Sequence, residues 1–84
     1  MKPNTFYSFM SSGDKKIIYV KDIRDLYEEE KEGNTYYEVL VLYKFIEDLD
    51  NNSKYVEWKA TKRSTYYGYT EEFIPPVIRE LYGI

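Results

Sequence analysis

The chain has 84 residues, a net charge of −3 at pH 7, 11 tyrosines, and neither histidine nor cysteine. Without these two residue types, catalysis of the Ser-His-Asp kind, a structural zinc site and a disulfide are all excluded. The acidic balance argues against general binding to a nucleic-acid backbone, which needs clustered lysine and arginine. We therefore predict a single domain over residues 1–84 that is not an enzyme and holds no cofactor or metal.

The first two predicted strands are Thr5–Met10 and Lys15–Tyr27, separated by the turn-forming sequence of residues 11–14. The second half of the second strand is ambiguous, because its apolar residues also fit helical spacing and the acids after it are good helix formers. We favour a strand that runs into a mobile acidic loop, and strand, helix and loop remain alternatives for residues 21–30.

The strongest strand pattern covers Thr35–Ile46, after a turn at residues 32–34. Its odd-numbered positions from Tyr37 to Phe45 are all aromatic or aliphatic, and its even-numbered positions are half apolar, so we expect a central strand. Val39 and Val41 are predicted core residues. A turn over residues 48–53 then predicts a hairpin with the strand Lys54–Lys62, in which Trp58 faces the core.

The C-terminal part combines an ambiguous segment with a predicted short helix. Residues 63–69 form either a short fifth strand or a tyrosine-rich loop, and Thr70 is expected to cap a turn that ends before Pro75. Pro76 suits the start of a short helix that ends at Gly83. Its apolar stripe is expected to cover the core, with a partner surface as the alternative. The stripe consists of Val77, Ile78, Leu81 and Tyr82.

The predicted fold class is mainly β (α+β), with a small antiparallel sheet of four or five strands and a short C-terminal helix. In strand number and spacing the chain resembles an SH3-like barrel, in which a curled sheet has no exposed edges. A curved sheet packed on the helix is the alternative. Because a domain of this size has a thin core and no covalent staple, a homodimer is a possible further source of stability.

Two segments are candidate binding sites. The acids Asp25, Glu28, Glu29 and Glu30, with tyrosines nearby, are suited to occupying a basic groove on another protein. The second segment interleaves bases with aromatic residues, which is suited to a phosphate and a stacked base. Its candidate residues are Lys59, Lys62, Arg63, Tyr66, Tyr67 and Tyr69.

The expected function is that of a small binding protein that blocks a protein partner. In its richness in Lys, Glu, Tyr, Asn and Ile, the chain resembles short accessory proteins of bacteriophages, many of which inhibit host enzymes or defence systems. A nucleotide or nucleotide-derived signal is the alternative ligand, and single-stranded nucleic acid is a second alternative that the net acidity disfavours. No apolar run approaches membrane-spanning length, so we expect a cytoplasmic protein.

Overall fold

The computed structural model describes residues 1–61 and 68–84, and within these residues it shows one antiparallel sheet and one short α-helix. In chain order the elements are β1 (Thr5–Ser11), β2 (Asp14–Lys31), β3 (Asn34–Phe45), β4 (Val56–Ala60), β5 (Thr70–Glu72) and α1 (Pro76–Tyr82). A single 3-10 turn, Ile46–Asp48, follows β3. The strands lie side by side in the order β4-β3-β2-β1-β5.

The mainly β class is confirmed, but the sheet is not closed into a barrel. In the described parts of the chain, β4 pairs only with β3 and β5 pairs only with β1, so these two strands form the edges of an open sheet. The resemblance to an SH3-like barrel is therefore not confirmed. The predicted pairing of β3 with β4 is confirmed, as is the position of β3 between two neighbours.

Two tight turns set the register of the first three strands. Ser12 and Gly13 join β1 to β2, and Glu32 and Gly33 join β2 to β3, so each connection has only two residues. All four residues have positive φ, between 50° and 82°. Positive φ at both central positions is the requirement of a type I′ hairpin turn, which matches the twist of the strands that it joins. The turns predicted at these two places are confirmed.

Residues 21–30 belong to β2 throughout, so the favoured strand is confirmed and the mobile acidic loop predicted to follow it is wrong. β2 continues to Lys31 and pairs with β3 along almost its whole length, ending at the pair Lys31↔Asn34. Two register shifts leave Lys21 and Leu26 without a direct partner, as in β-bulges. The helix-forming tendency of the glutamates is overridden because residues 34–38 offer this segment a complete partner strand.

The main core lies on one face of the sheet, which we call the core face. Its buried residues come from the N-terminus and from β1, β2 and β3: Met1, Tyr7, Ile18, Val20, Val39 and Val41. The predicted burial of Val39 and Val41 is confirmed, and Trp58 packs against this cluster as expected. Alternation along the strands places Phe6, Tyr19 and Lys44 on the opposite face, which we call the second face.

Helix α1 lies where it was predicted, and it ends at Gly83 with a left-handed cap. Its apolar stripe is covered only in part, because Val77 and Leu81 are 68% and 77% exposed whereas Ile78 and Tyr82 are half-buried. None of the four belongs to the described core cluster. Contact with the second face comes from Arg79, whose Nη2 donates a hydrogen bond to the carbonyl oxygen of Asn4 at 2.9 Å. The Arg79 guanidinium also lies 5.6 Å from the ring centroid of Phe6.

The expected capped turn after Thr70 is also wrong, because residues 70–72 form β5 on the free edge of β1. A carboxylate stabilises this pairing. Glu72 Oε1 accepts a hydrogen bond from the Ser8 hydroxyl at 2.6 Å and lies 2.9 Å from Lys15 Nζ. The hydrogen bond from Ser8 and the neighbouring Lys15 lower the pKa of Glu72 below its ordinary value of 4.5.

Because Phe6 is buried and Phe73 is exposed, replacement by leucine should change the free energy of unfolding by different amounts at these two positions. Phe6 is 0% exposed and Phe73 is 82% exposed. Phe6→Leu should lower the free energy of unfolding by about 1–1.5 kcal/mol, because it leaves a small cavity. Phe73→Leu should change it by less than about 0.5 kcal/mol. Urea unfolding followed by tyrosine fluorescence measures both, and equal effects would contradict the assigned burial.

The lowered pKa of Glu72 predicts a pH-dependent contribution to stability. A carboxyl group whose pKa is lower in the folded state stabilises the fold above its unfolded value, here 4.5, and this contribution disappears as the pH falls through the folded value. Glu72→Gln should therefore lower the melting temperature at pH 7, and the difference from the wild type should shrink below pH 4.5. Glu71→Gln is the control, because Glu71 is the neighbouring acid of β5 and makes an exposed ion pair with Lys2. A difference that persists unchanged to pH 3 would refute this role.

Candidate protein-binding ribbon

The far end of the β2–β3 pair extends beyond the rest of the sheet. In the described parts of the chain, β1 accompanies β2 as far as Val20, and β4 accompanies β3 between Val39 and Tyr43. Apart from Asp25, which pairs with Val39, the described strand residues from 25 to 38 therefore pair only with each other. We call residues 25–38 the acidic ribbon. With a rise of about 3.4 Å per residue over the six steps from Asp25 to Lys31, it projects roughly 20 Å, and the protein measures 48 × 27 × 21 Å.

Most of the acidity of the protein is concentrated in the acidic ribbon. Its 14 residues include six acids and one base, which gives a net charge of −5, whereas the whole chain carries −3. The remaining 70 residues are therefore net basic, by two charges. The acids are Asp25, Glu28, Glu29, Glu30, Glu32 and Glu38. Charge of one sign on a narrow projection produces a strong local electrostatic field. This field attracts an oppositely charged partner before the two surfaces touch.

The pairing register distributes these side chains over two faces. Tyr27, Glu29 and Lys31 share one face with Tyr36, which lies directly opposite Glu29. This face has an open concavity of about 450 Å³, and the hydroxyl of Tyr27 donates a hydrogen bond to the Glu29 carboxylate. The arrangement presents two tyrosine rings with a carboxylate between them.

The other face carries Glu28 and Glu30, opposite Tyr37 and Thr35. Residues two apart on a strand are about 7 Å apart, so these two carboxylates point the same way without crowding each other. Leu26, at the bulge, is 44% exposed. Both faces thus combine acids with accessible apolar or aromatic surface.

The structure separates the predicted acidic residues rather than gathering them. Glu28, Glu29 and Glu30 alternate between the two faces of the ribbon, and Asp25 lies at its base opposite Val39. No pair of them converges on a point, and across the described residues no cluster of acids is placed to hold a metal ion. The arrangement suits contact with an extended basic surface better than coordination of a single cation.

The predicted basic and aromatic segment is described only in part. Lys62, Arg63, Tyr66 and Tyr67 lie outside the described residues. Lys59 is exposed on β4 opposite Leu40, on the second face. Tyr69 packs on the core face, with ring centroids 5.1 Å from Phe9 and 5.9 Å from Trp58. Lys59 and Tyr69 are therefore not brought together.

The burial of Tyr69 agrees with a structural role. Burial, with a smaller contribution from the nearby Tyr43, raises the pKa of its hydroxyl above the ordinary value of 10. The ring helps to enclose a cavity of about 150 Å³ that is lined by aromatic and aliphatic side chains.

Two exposed residues of the ribbon, Tyr27 and Tyr36, were not identified from the sequence. They are 46% and 49% exposed. Their proximity depends on the register of β2 with β3, which a two-residue turn at Glu32 and Gly33 determines. A type I′ turn fixes the register of the two strands that it joins. Identifying this turn in the sequence would therefore have predicted that Glu29 lies opposite Tyr36.

Comparisons of the chain with protein-family models, curated proteins and solved structures found no match. In the described residues, no helix is long and apolar enough to cross a membrane.

The turn at the ribbon tip predicts a local effect of one substitution. Gly33 has φ of 78°, and a Cβ placed on it would contact nothing within 4 Å. Gly33→Ala should therefore act through backbone strain alone and cost about 1–2 kcal/mol. Because the ribbon has little buried surface, we expect faster amide hydrogen exchange over residues 27–37.

Exchange in residues 39–43, which lie within the sheet, should be unchanged by Gly33→Ala. Exchange that accelerates equally in both regions would show that the ribbon does not open independently of the sheet.

Proposed function

We propose that this protein binds and blocks a protein partner by inserting the acidic ribbon into a basic groove. The observation that supports this proposal most directly is the net charge of −5 on a 14-residue projection. A narrow two-stranded ribbon is a shape that enters a groove. A paired backbone also loses less conformational entropy on binding than a loop would.

Charge gives the ribbon its selectivity for basic surfaces. The groove is expected to be lined with arginine and lysine, as are surfaces that bind nucleic-acid phosphates. Long-range attraction of this kind accelerates encounter and is screened over about 8 Å at physiological salt. The complex should therefore form more slowly and bind more weakly as salt is raised.

Tyrosine supplies the contact area that charge alone does not. Tyr27 and Tyr36 are accessible on one face, and side chains of this type are frequent hot spots because they bury a large area at a low entropic cost. A complex that depends on both features should lose affinity when either is removed. Purely electrostatic adhesion would not depend on the rings.

The biological setting that we propose comes from the composition of the chain. A small, tyrosine-rich, acidic protein without histidine or cysteine resembles phage-type accessory proteins, so the partner would be a bacterial host enzyme or defence component in the cytoplasm. The nucleotide-ligand alternative stays a prediction, because most of the segment from Lys59 to Tyr69 lies outside the described residues.

Reversal of charge on the ribbon tests this function. Glu28→Lys, Glu29→Lys and Glu30→Lys together should abolish capture of a partner from a bacterial lysate by the immobilised protein. The control combines Glu47→Lys, Asp50→Lys and Glu80→Lys, which are exposed acids outside the ribbon and give the same net charge. Quantitative mass spectrometry of the captured proteins compares the two variants.

The account requires a specific protein that the control retains and the ribbon variant loses by at least tenfold. The same protein should be lost with Tyr27→Ser and Tyr36→Ser combined. If the ribbon variant captures the partner as well as the wild type does, the acidic ribbon is not the binding element.

A further inference from the structure

A second group of charged and aromatic residues lies on the second face, away from the acidic ribbon. Three rings form a row there. The ring centroids of Phe6 and Tyr19 are 5.0 Å apart, and those of Tyr19 and Tyr55 are 6.4 Å apart. Phe6 and Tyr19 are buried, whereas Tyr55 is half-buried and forms the accessible end of the row.

Two lysines lie against that accessible ring. The Nζ atoms of Lys21 and Lys44 are 4.7 Å and 4.9 Å from the ring centroid of Tyr55. The fold brings them together because Lys44 lies opposite Tyr19 in the β2–β3 register, and Lys21 is the extra residue of the nearby bulge. Lys21 is exposed, but Lys44 is only 8% exposed.

These two ammonium groups have no counter-ion among the described residues. No carboxylate there lies within 4.0 Å of either one. Asp22 is directed to Arg24 and to the backbone N–H of Ile23 instead.

The neighbouring loop does not neutralise Lys44 either. The Asp48 carboxylate accepts a hydrogen bond from the Asn51 side-chain amide. Lys44 Nζ donates to the Asn51 carbonyl oxygen at 3.5 Å, which is the long limit of a hydrogen bond. Its remaining donor capacity is available to a stronger acceptor.

The tyrosines do not supply the missing negative charge. Burial raises the pKa of the Tyr55 hydroxyl, and burial together with the nearby Tyr55 raises that of Tyr19, so both are neutral at pH 7. Lys44 is a largely buried residue whose charge has no carboxylate partner among the described residues, and attraction to a ring face compensates only part of the cost of burying a charge. An anion that contacts both lysines would supply the missing negative charge.

We propose that Lys21 and Lys44, whose ammonium groups both lie against the ring of Tyr55, form a binding site for a phosphate-class anion. Lysine binds phosphate oxygens as a point charge, so two ammonium groups near one ring suit an anion with several charged oxygens. Diphosphate, free or as part of a nucleotide, is the smallest such anion with two phosphate groups to contact both lysines. The net basic charge of the chain outside the acidic ribbon favours this choice.

The site is tested by titration with sodium diphosphate at constant ionic strength, followed by calorimetry and by the melting temperature. Wild type should bind saturably, and its melting temperature should rise with ligand concentration. Lys21→Met and Lys44→Met should each weaken binding at least tenfold, while methionine preserves the apolar stem of the side chain. Lys16→Met, which removes an exposed lysine of β2, is the control and should bind like the wild type.

A parallel titration with adenosine diphosphate separates the two sources of the anion. Tighter binding of the nucleotide than of diphosphate indicates that a base or ribose also contacts the protein, and equal binding indicates recognition of the phosphates alone. Both results support the site. No saturable binding by wild type up to about 10 mM, or equal binding by all four proteins, would refute it, because Lys21→Met lies on the surface and should still fold.

The outcome is independent of the ribbon. The triple charge reversal at Glu28, Glu29 and Glu30 should leave diphosphate binding unchanged, and the lysine variants should leave partner capture unchanged. Failure of one proposal is therefore distinguishable from failure of the other.

Discussion

The pairing of β2 with β3 is the interaction on which the rest of the structure depends. It joins the two longest strands, and β1 and β4 add to its outer sides to complete the sheet around Val20, Val39 and Val41. An isolated hairpin is marginally stable in water, so this pair needs the sheet at its base. Among the described residues, the β2–β3 pair extends beyond β1 and β4, and this extension is the acidic ribbon. Stability and the candidate interaction surface thus come from one continuous ladder of backbone hydrogen bonds.

Charge is distributed unevenly over this ladder. The ribbon end carries a net charge of −5, while the sheet end and the segments around it are net basic. On the second face, the result is a pair of lysines around Tyr55 without a carboxylate partner among the described residues. An overall charge near −3 conceals both features. The two proposals therefore concern oppositely charged groups: the acidic ribbon for a basic protein groove, and the lysines at Tyr55 for a small anion.

Alternation and turn chemistry predicted the strands that build the core. Val39, Val41 and Trp58 were assigned to the core because side chains alternate along a strand, and the two glycine turns were placed correctly. The errors arose where a distant partner decided the outcome. Residues 21–30 became strand because β3 pairs with them, and Thr70–Glu72 became strand because the edge of β1 and the side chains of Ser8 and Lys15 hold it. Closure of the sheet and burial of Val77 and Leu81 also depend on tertiary packing, which local patterns do not contain.

Cross-strand nuclear Overhauser effects provide the most direct test of the central claim that the ladder continues to the ribbon tip. The account predicts backbone contacts between β2 and β3 at every level from Asp25↔Val39 to Lys31↔Asn34, including Glu29↔Tyr36. Contacts that end at Asp25↔Val39, with random-coil chemical shifts beyond that pair, would contradict it. The acidic ribbon would then not exist as an ordered projection.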